Sequence, residues 1–183
     1  MNNRLIIITG YSASGKTTFS KHLAANMNND ILTFRSIARK IASDTGYKYI
    51  RDFYSHEKYA LELTNQYLCQ KITDAFSTNN EIIYEGVISR QVVQTFKKKY
   101  RCKVVICFID TPFSTRKSRI IQRESISNDK ASHELERKDS IKRMMDIEWL
   151  FANSDIRLNG ECDVEDMRRT FTHFLEEGNT DAT

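Results

Sequence analysis

Gly10, Gly15, Lys16 and Thr17 stand in the spacing G-x-x-x-x-G-K-T. Residues of these types at these intervals do one kind of chemistry. Glycine lets the backbone curl until successive N–H groups face one cavity. A helix opening near Lys16 adds the positive end of its dipole. Lys16 brings a full charge to the β- and γ-phosphates of a nucleotide. The Thr17 hydroxyl is suited to Mg2+, and that of Thr18 to the α-phosphate. Gly10, Ser12, Ala13, Ser14 and Gly15 complete the cradle. The expected ligands are ATP and Mg2+.

A second group is basic. Arg116, Arg119 and Arg123 follow i, i+3, i+7, so one helix face presents three guanidiniums. Phosphoryl transfer spreads negative charge over the moving group, and fixed arginines stabilise it. Arg119 and Arg123 are the catalytic candidates of this face, beside Lys16. Arg143 is a further one, with Asp139 four residues before it and able to hold it.

Carboxylates form a third group. Glu85 ends an apolar run and is suited to hold Mg2+ through water, or to accept a proton. Asp110 is its rival, and Asp52 is a further possible base.

These residues need a scaffold, and the hydrophobic pattern supplies one. Arg4–Thr9, Ile31–Phe34, Glu81–Tyr84, Lys103–Ile109 and Asp155–Leu158 read as strands, the first buried on both faces. Between them lie helical stretches. Phe19, Leu23 and Met27 mark one face of the first. Others span residues 36–44, 56–76, 89–99, 114–123 and 129–150. Asp163 is placed to cap a last helix with Val164, Met167, Phe171 and Phe174 on its apolar stripe. Alternation of this kind predicts an α/β three-layer fold, a five-stranded parallel sheet with helices on both faces. Ligands of such sheets bind at the carboxyl ends of the strands, where Gly10, Glu85 and Asp110 fall. Residues 1–176 read as one domain with a helical lid over about 114–150, and 177–183 as a disordered tail.

Composition agrees. The chain has 183 residues, a net charge of +4, 40% hydrophobic and 28% charged residues. That suits one globular domain and an anionic ligand. No run reaches the length of a membrane span. The four cysteines make no metal-ligand spacing, which fits free thiols in a reducing cytoplasm. Lys97–Arg101 reads as a solvated helix end, and contact with nucleic acid is not the favoured use of it. The histidines show no ligand spacing, and Trp149 reads as core.

Four stretches together resemble the P-loop nucleoside monophosphate kinase group, most of all small cytidylate kinases of the archaeal type. They are GYSASGKTT, IIYEG (82–86), FIDTPFSTRKSRIIQRESIS (108–127) and ERKDSIKR (136–143). The resemblance implies that Arg35, Arg39 and Arg51 hold an acceptor phosphate, and that Arg90 does so after the acid-glycine pair. Arg90 departs from the family spacing, being one residue late and without the proline. Gly160 resembles the loop that cradles adenine. The tyrosine-rich insert 46–59 is suited either to stacking on a base or to packing.

The resulting expectation is an ATP- and Mg2+-dependent kinase acting on a nucleoside monophosphate, with a pyrimidine favoured. An acceptor that is already ionised needs arginines more than a base. Two alternatives stay open. One is a kinase acting on a hydroxyl of a nucleoside, modified base or polynucleotide, with Glu85 or Asp52 as base. The other is a non-catalytic ATP-binding module.

Overall fold

The computed structural model describes residues 3–56 and 59–180. Five strands, β1 (Arg4–Thr9), β2 (Ile31–Thr33), β3 (Glu81–Glu85), β4 (Lys103–Asp110) and β5 (Ile156–Asn159), form one sheet. All pairs are parallel, in the order β2-β3-β1-β4-β5. The register places Ile8 opposite Glu85 and Thr9 opposite Phe108. The P-loop strand is therefore central, and the Glu85 strand lies beside it.

The strands are apolar on both faces because both faces are covered. On one side, Ile6, Ile8, Ile83, Val105, Cys107 and Ile109 pack with α1 (Lys16–Met27) and α9 (Val164–Thr180) through Phe19, Leu23, Met167 and Phe171. On the other, Leu5, Ile7, Tyr84, Ile106 and Phe108 meet α2 (Phe34–Asp44), α3 (Ile50–His56), α4 (Ala60–Ala75), α5 (Arg90–Lys98) and α8 (Ile147–Ala152). A third cluster, Ile120, Ala131 and Leu135, joins α6 (Phe113–Glu124) to α7 (Asn128–Arg143).

Several boundaries differ from the sequence expectation. Phe34 belongs to α2, not to β2, because the Thr33 side chain caps the helix by accepting from Ser36 N at 3.0 Å. The helix expected over 56–76 begins at Ala60, and His56 instead closes α3. The helix expected over 129–150 is two. Asp146 adopts a left-handed conformation (φ 62°), and its Oδ2 accepts from Arg90 N at 3.1 Å, fixing the bend. Asp163 does cap α9, accepting from Glu165 N at 2.8 Å. Residues 177–180, expected in the tail, continue α9, while 181–183 lie outside the described residues. Trp149 is half-buried beneath the Arg90 guanidinium rather than fully in the core.

Candidate functional site

The loop from Gly10 to Gly15 joins β1 to α1. Its geometry follows from where its carbonyls go. Gly10 O accepts from Lys142 Nζ at 2.5 Å, and Tyr11 O from Lys16 Nζ at 3.3 Å. Ser12 O accepts from Arg116 Nη1 at 3.2 Å, and Ala13 O from Arg119 Nη1 at 3.3 Å. Ser14 O accepts from Thr111 Oγ1 at 2.9 Å. Five consecutive carbonyls are thus held by side chains, four of them by cations. Ser14 N donates within the loop, to Tyr11 O at 3.3 Å, and the holding of the carbonyls elsewhere favours the remaining amides as donors to an anion.

Two glycines are needed for this shape. Gly15 has φ 99°, a left-handed value that a side chain rarely adopts. At Gly160 a Cβ would meet Ser14 O at 2.5 Å, so only glycine lets the β5 loop close on the P-loop. Ser14 Oγ is buried without a hydrogen-bond partner among the described residues. An orphaned hydroxyl inside a nest of amides fits a phosphate-bearing ligand.

The arginines of α6 divide. Arg116 is buried, donates to Thr111 O at 3.1 Å, pairs with Asp139 at 2.8 Å and lies 5.1 Å from the Tyr11 ring centre. Arg119 bridges the P-loop to the β5 loop, donating to Gly160 O at 2.6 Å. Arg123 is exposed and pairs with Glu124. Asp139 therefore holds Arg116, not Arg143, which is exposed and 3.7 Å from Glu148.

The residue of α7 that does reach the loop is Lys142. It meets Lys16 side chain to side chain. Burial, then the neighbouring Lys16 charge, drives the Lys142 ammonium well below its ordinary value. Burial lowers Lys16 too, with the Glu85 carboxylate opposing. Sequence reasoning missed Lys142 for its neighbour Arg143. A helical wheel phased on Ala131, Leu135 and Asp139 together would have found it, since position 142 lies about 20° from the centre of that buried face and position 143 about 80°.

Thr17 Oγ1 donates to Glu85 Oε1 at 2.9 Å across the β1–β3 edge. A hydroxyl and a carboxylate converging at the mouth of a phosphate nest are hard oxygen donors suited to a divalent cation. Asp110 is exposed two strands from Glu85, and its backbone oxygen accepts from Gly160 N at 2.7 Å. Thr18 is exposed on α1.

On the acceptor side, Arg35 lies near enough to oppose the Lys16 charge. Arg39 is exposed one turn further along α2. Arg51 pairs with Asp52 at 3.1 Å on α3. Arg90 stands 5.8 Å over the Trp149 ring. Between α3–α4 and the end of α7 opens an apolar cavity of about 410 Å³, lined by Tyr54, Tyr59, Leu61, Ile141, Met144 and Met145, with Glu62 at its wall.

The described residues contain no helix long and apolar enough to cross a membrane and no cluster of three or more metal-binding side chains of the His, Cys, Asp or Glu type.

Comparison with known proteins bears on the family and the fold. A UPF0200 protein of Saccharolobus islandicus is 26% identical over 172 residues, covering 91% of this chain and 89% of that one. A cytidylate kinase of Pyrobaculum calidifontis is 24% identical over 143 residues, covering 76% and 71%. The shikimate kinase of Acinetobacter baumannii, solved with shikimate, superposes with TM-score 0.62 at 15% identity over 96% and 94%, which speaks for the fold. A family model described as an AAA domain matches residues 6–144. Built on a P-loop kinase fold, the chain belongs to this AAA domain family.

Proposed function

We propose that the protein transfers the γ-phosphoryl group of ATP, in the presence of Mg2+, to a nucleoside monophosphate, with a pyrimidine base favoured. The observation that carries this is the convergence of Lys16, Lys142, Arg35 and the Thr17–Glu85 pair at one end of the sheet. Each has a role there. The loop amides bind the β-phosphate, and Lys16 leaves the Tyr11 carbonyl for the phosphate oxygens. Arg119 holds the β5 loop, whose Gly160 backbone borders the adenine. Thr17 and Glu85 would hold Mg2+, which shields the charge on the phosphates. Arg35 and Arg39 face the acceptor phosphate, and the cavity takes its base. Arg123 and Arg143, both exposed, are in reach of solvent-borne phosphates after rearrangement of the α6–α7 hairpin. Arg51, Asp52 and Arg90 border the acceptor side.

The pyrimidine rests on the cytidylate kinase relative. The monophosphate rests on chemistry. Glu85 is engaged by Thr17, and Asp52 by Arg51, so neither carboxylate stands unengaged as a base. Glu62 in the cavity wall favours a second reading, transfer to a hydroxyl with Glu62 as base. Unpaired cysteines suit a reducing cytoplasm as the place of work.

Labelled ATP offered with a panel of monophosphates, nucleosides and oligonucleotides tests the reading. Label on a pyrimidine monophosphate supports it. Label on nucleosides or oligonucleotides instead moves the assignment to the hydroxyl kinase.

A further inference from the structure

The last turn of α7 faces two ways. Lys142 reaches the P-loop and touches Lys16. Ile141, Met144 and Met145 line the apolar cavity. Ile141 in the last turn of α7 and Met144 at its C-cap stand i, i+3 on one side, Met145 follows in the turn, and 142 is rotated about 100° from 141. Met144 is 71% exposed and Ile141 39%, although both are large and apolar. The chain then bends at Asp146, anchored to Arg90 N. A body filling the cavity therefore bears on the turn that carries Lys142.

The position of Lys142 has a second peculiarity. Two lysine amines meet over one loop, with the Glu85 and Asp139 carboxylates as anionic counterweights and Arg35 and Arg116 adding positive charge beside Lys16. A terminal phosphate resolves this crowding, because its oxygens accept from both amines.

We propose that Lys142 is a catalytic residue of the transfer, donating to an oxygen of the moving phosphoryl group, and that the acceptor in the cavity sets it in place. This rests on the reading of the cavity as the acceptor site. The bond from the γ-phosphorus to the bridging oxygen breaks, its electron pair staying on the leaving diphosphate. The acceptor oxygen forms the new bond with its own pair. Lys142 and Lys16 keep their protons throughout. Filling the cavity covers Ile141, Met144 and Met145, fixes the turn and moves Lys142 from Gly10 O to the phosphate. Acceptor and nucleotide then bind with positive coupling.

The test uses the full chain as wild type, Lys142→Met, Lys142→Arg and Met144→Ala. ATP with CMP is the substrate pair, and a non-hydrolysable ATP analogue titrated with and without CMP reads the coupling. In wild type, CMP is expected to tighten the analogue at least about fivefold. Lys142→Met is expected to lower kcat roughly 100-fold or more and to abolish the tightening, so that CMP binding to the analogue-bound enzyme weakens by the same factor while CMP binding to the free enzyme is little changed. Lys142→Arg restores most of both. Met144→Ala raises the CMP KM and weakens the tightening while leaving affinity for the analogue alone unchanged. If Lys142→Met keeps kcat and coupling while CMP is phosphorylated, the proposal is overturned and the kinase reading stands. If wild type phosphorylates no member of the acceptor panel, the kinase reading fails. Affinity for the analogue in the presence of CMP then decides Lys142, and equal affinity in wild type and Lys142→Met under that condition overturns a phosphate contact.

Discussion

Arg116 and Asp139 form a buried ion pair, Nη1 to Oδ2 at 2.8 Å, that ties the first helix of the α6–α7 hairpin to the second. The same guanidinium nitrogen donates to Ser12 O in the P-loop. The hairpin is thus joined to the P-loop. Removing one partner leaves a buried charge, so Asp139→Ala should destabilise the fold by about 3–5 kcal/mol. Urea denaturation measures it. Asp139→Leu with Arg116→Met should recover much of that loss without restoring activity, because Ser12 O stays unheld.

Lys16→Ala should cut phosphoryl transfer by roughly 100-fold or more, since its charge acts where negative charge accumulates. The loop is shaped by Lys142, Arg116, Arg119 and Thr111 as well, so the fold should survive. Thermal unfolding beside a transfer assay separates the two effects. Activity within tenfold of wild type would count against the phosphate role.

Glu85→Gln keeps a hydrogen-bonding side chain beside Thr17 but removes its charge. The Mg2+ concentration for half-maximal rate should rise about tenfold, the scale of one lost charged contact. A titration of rate against Mg2+ reads it. An unchanged curve would assign the carboxylate another task.

Arg35→Ala should raise the monophosphate KM at least about tenfold, from a lost contact of roughly 1.5–3 kcal/mol. The ATP KM should stay near wild type because the donor sits on the P-loop. Equal shifts in both would place Arg35 on the donor side.

The pH dependence has a defined sign. Lys142 is held well below its ordinary value in the fold, while in an unfolded chain it titrates near 10.4. Between the two values the unfolded chain binds the extra proton, so the strain of this lysine is relieved as pH rises through that window. The stability difference between wild type and Lys142→Met should shift in favour of wild type there. Phosphate binding reverses the effect and should draw in protons, visible as buffer-dependent heats of nucleotide binding.

The elements carrying this chemistry were legible to different depths. The P-loop motif, the strand alternation and Glu85 follow from local pattern, and the structure joins Thr17 to Glu85. Lys142 was hidden by one residue. Lys142 and Arg143 are both basic and adjacent, and only the packing of Ala131, Leu135 and Asp139 sets which faces inward. Asp139 offered a local partner at i+4, but its real partner is 23 residues away. The break after Met144 carries no glycine or proline. It depends on a left-handed aspartate held by Arg90, a contact 56 residues long.

The strand order has a consequence for how the chain comes to be folded. β1 and β2 are made first, yet they never touch, since β3 lies between them. β2 pairs only with β3, and β1 only with β3 and β4. A chain emerging from its amino end therefore carries its phosphate loop long before that loop's strand has a neighbour. Native pairing cannot begin until Glu81–Glu85 has been made and threads into the gap. The central insertion closes a loop of about 75 residues in one step, a non-local event of the kind that slows folding.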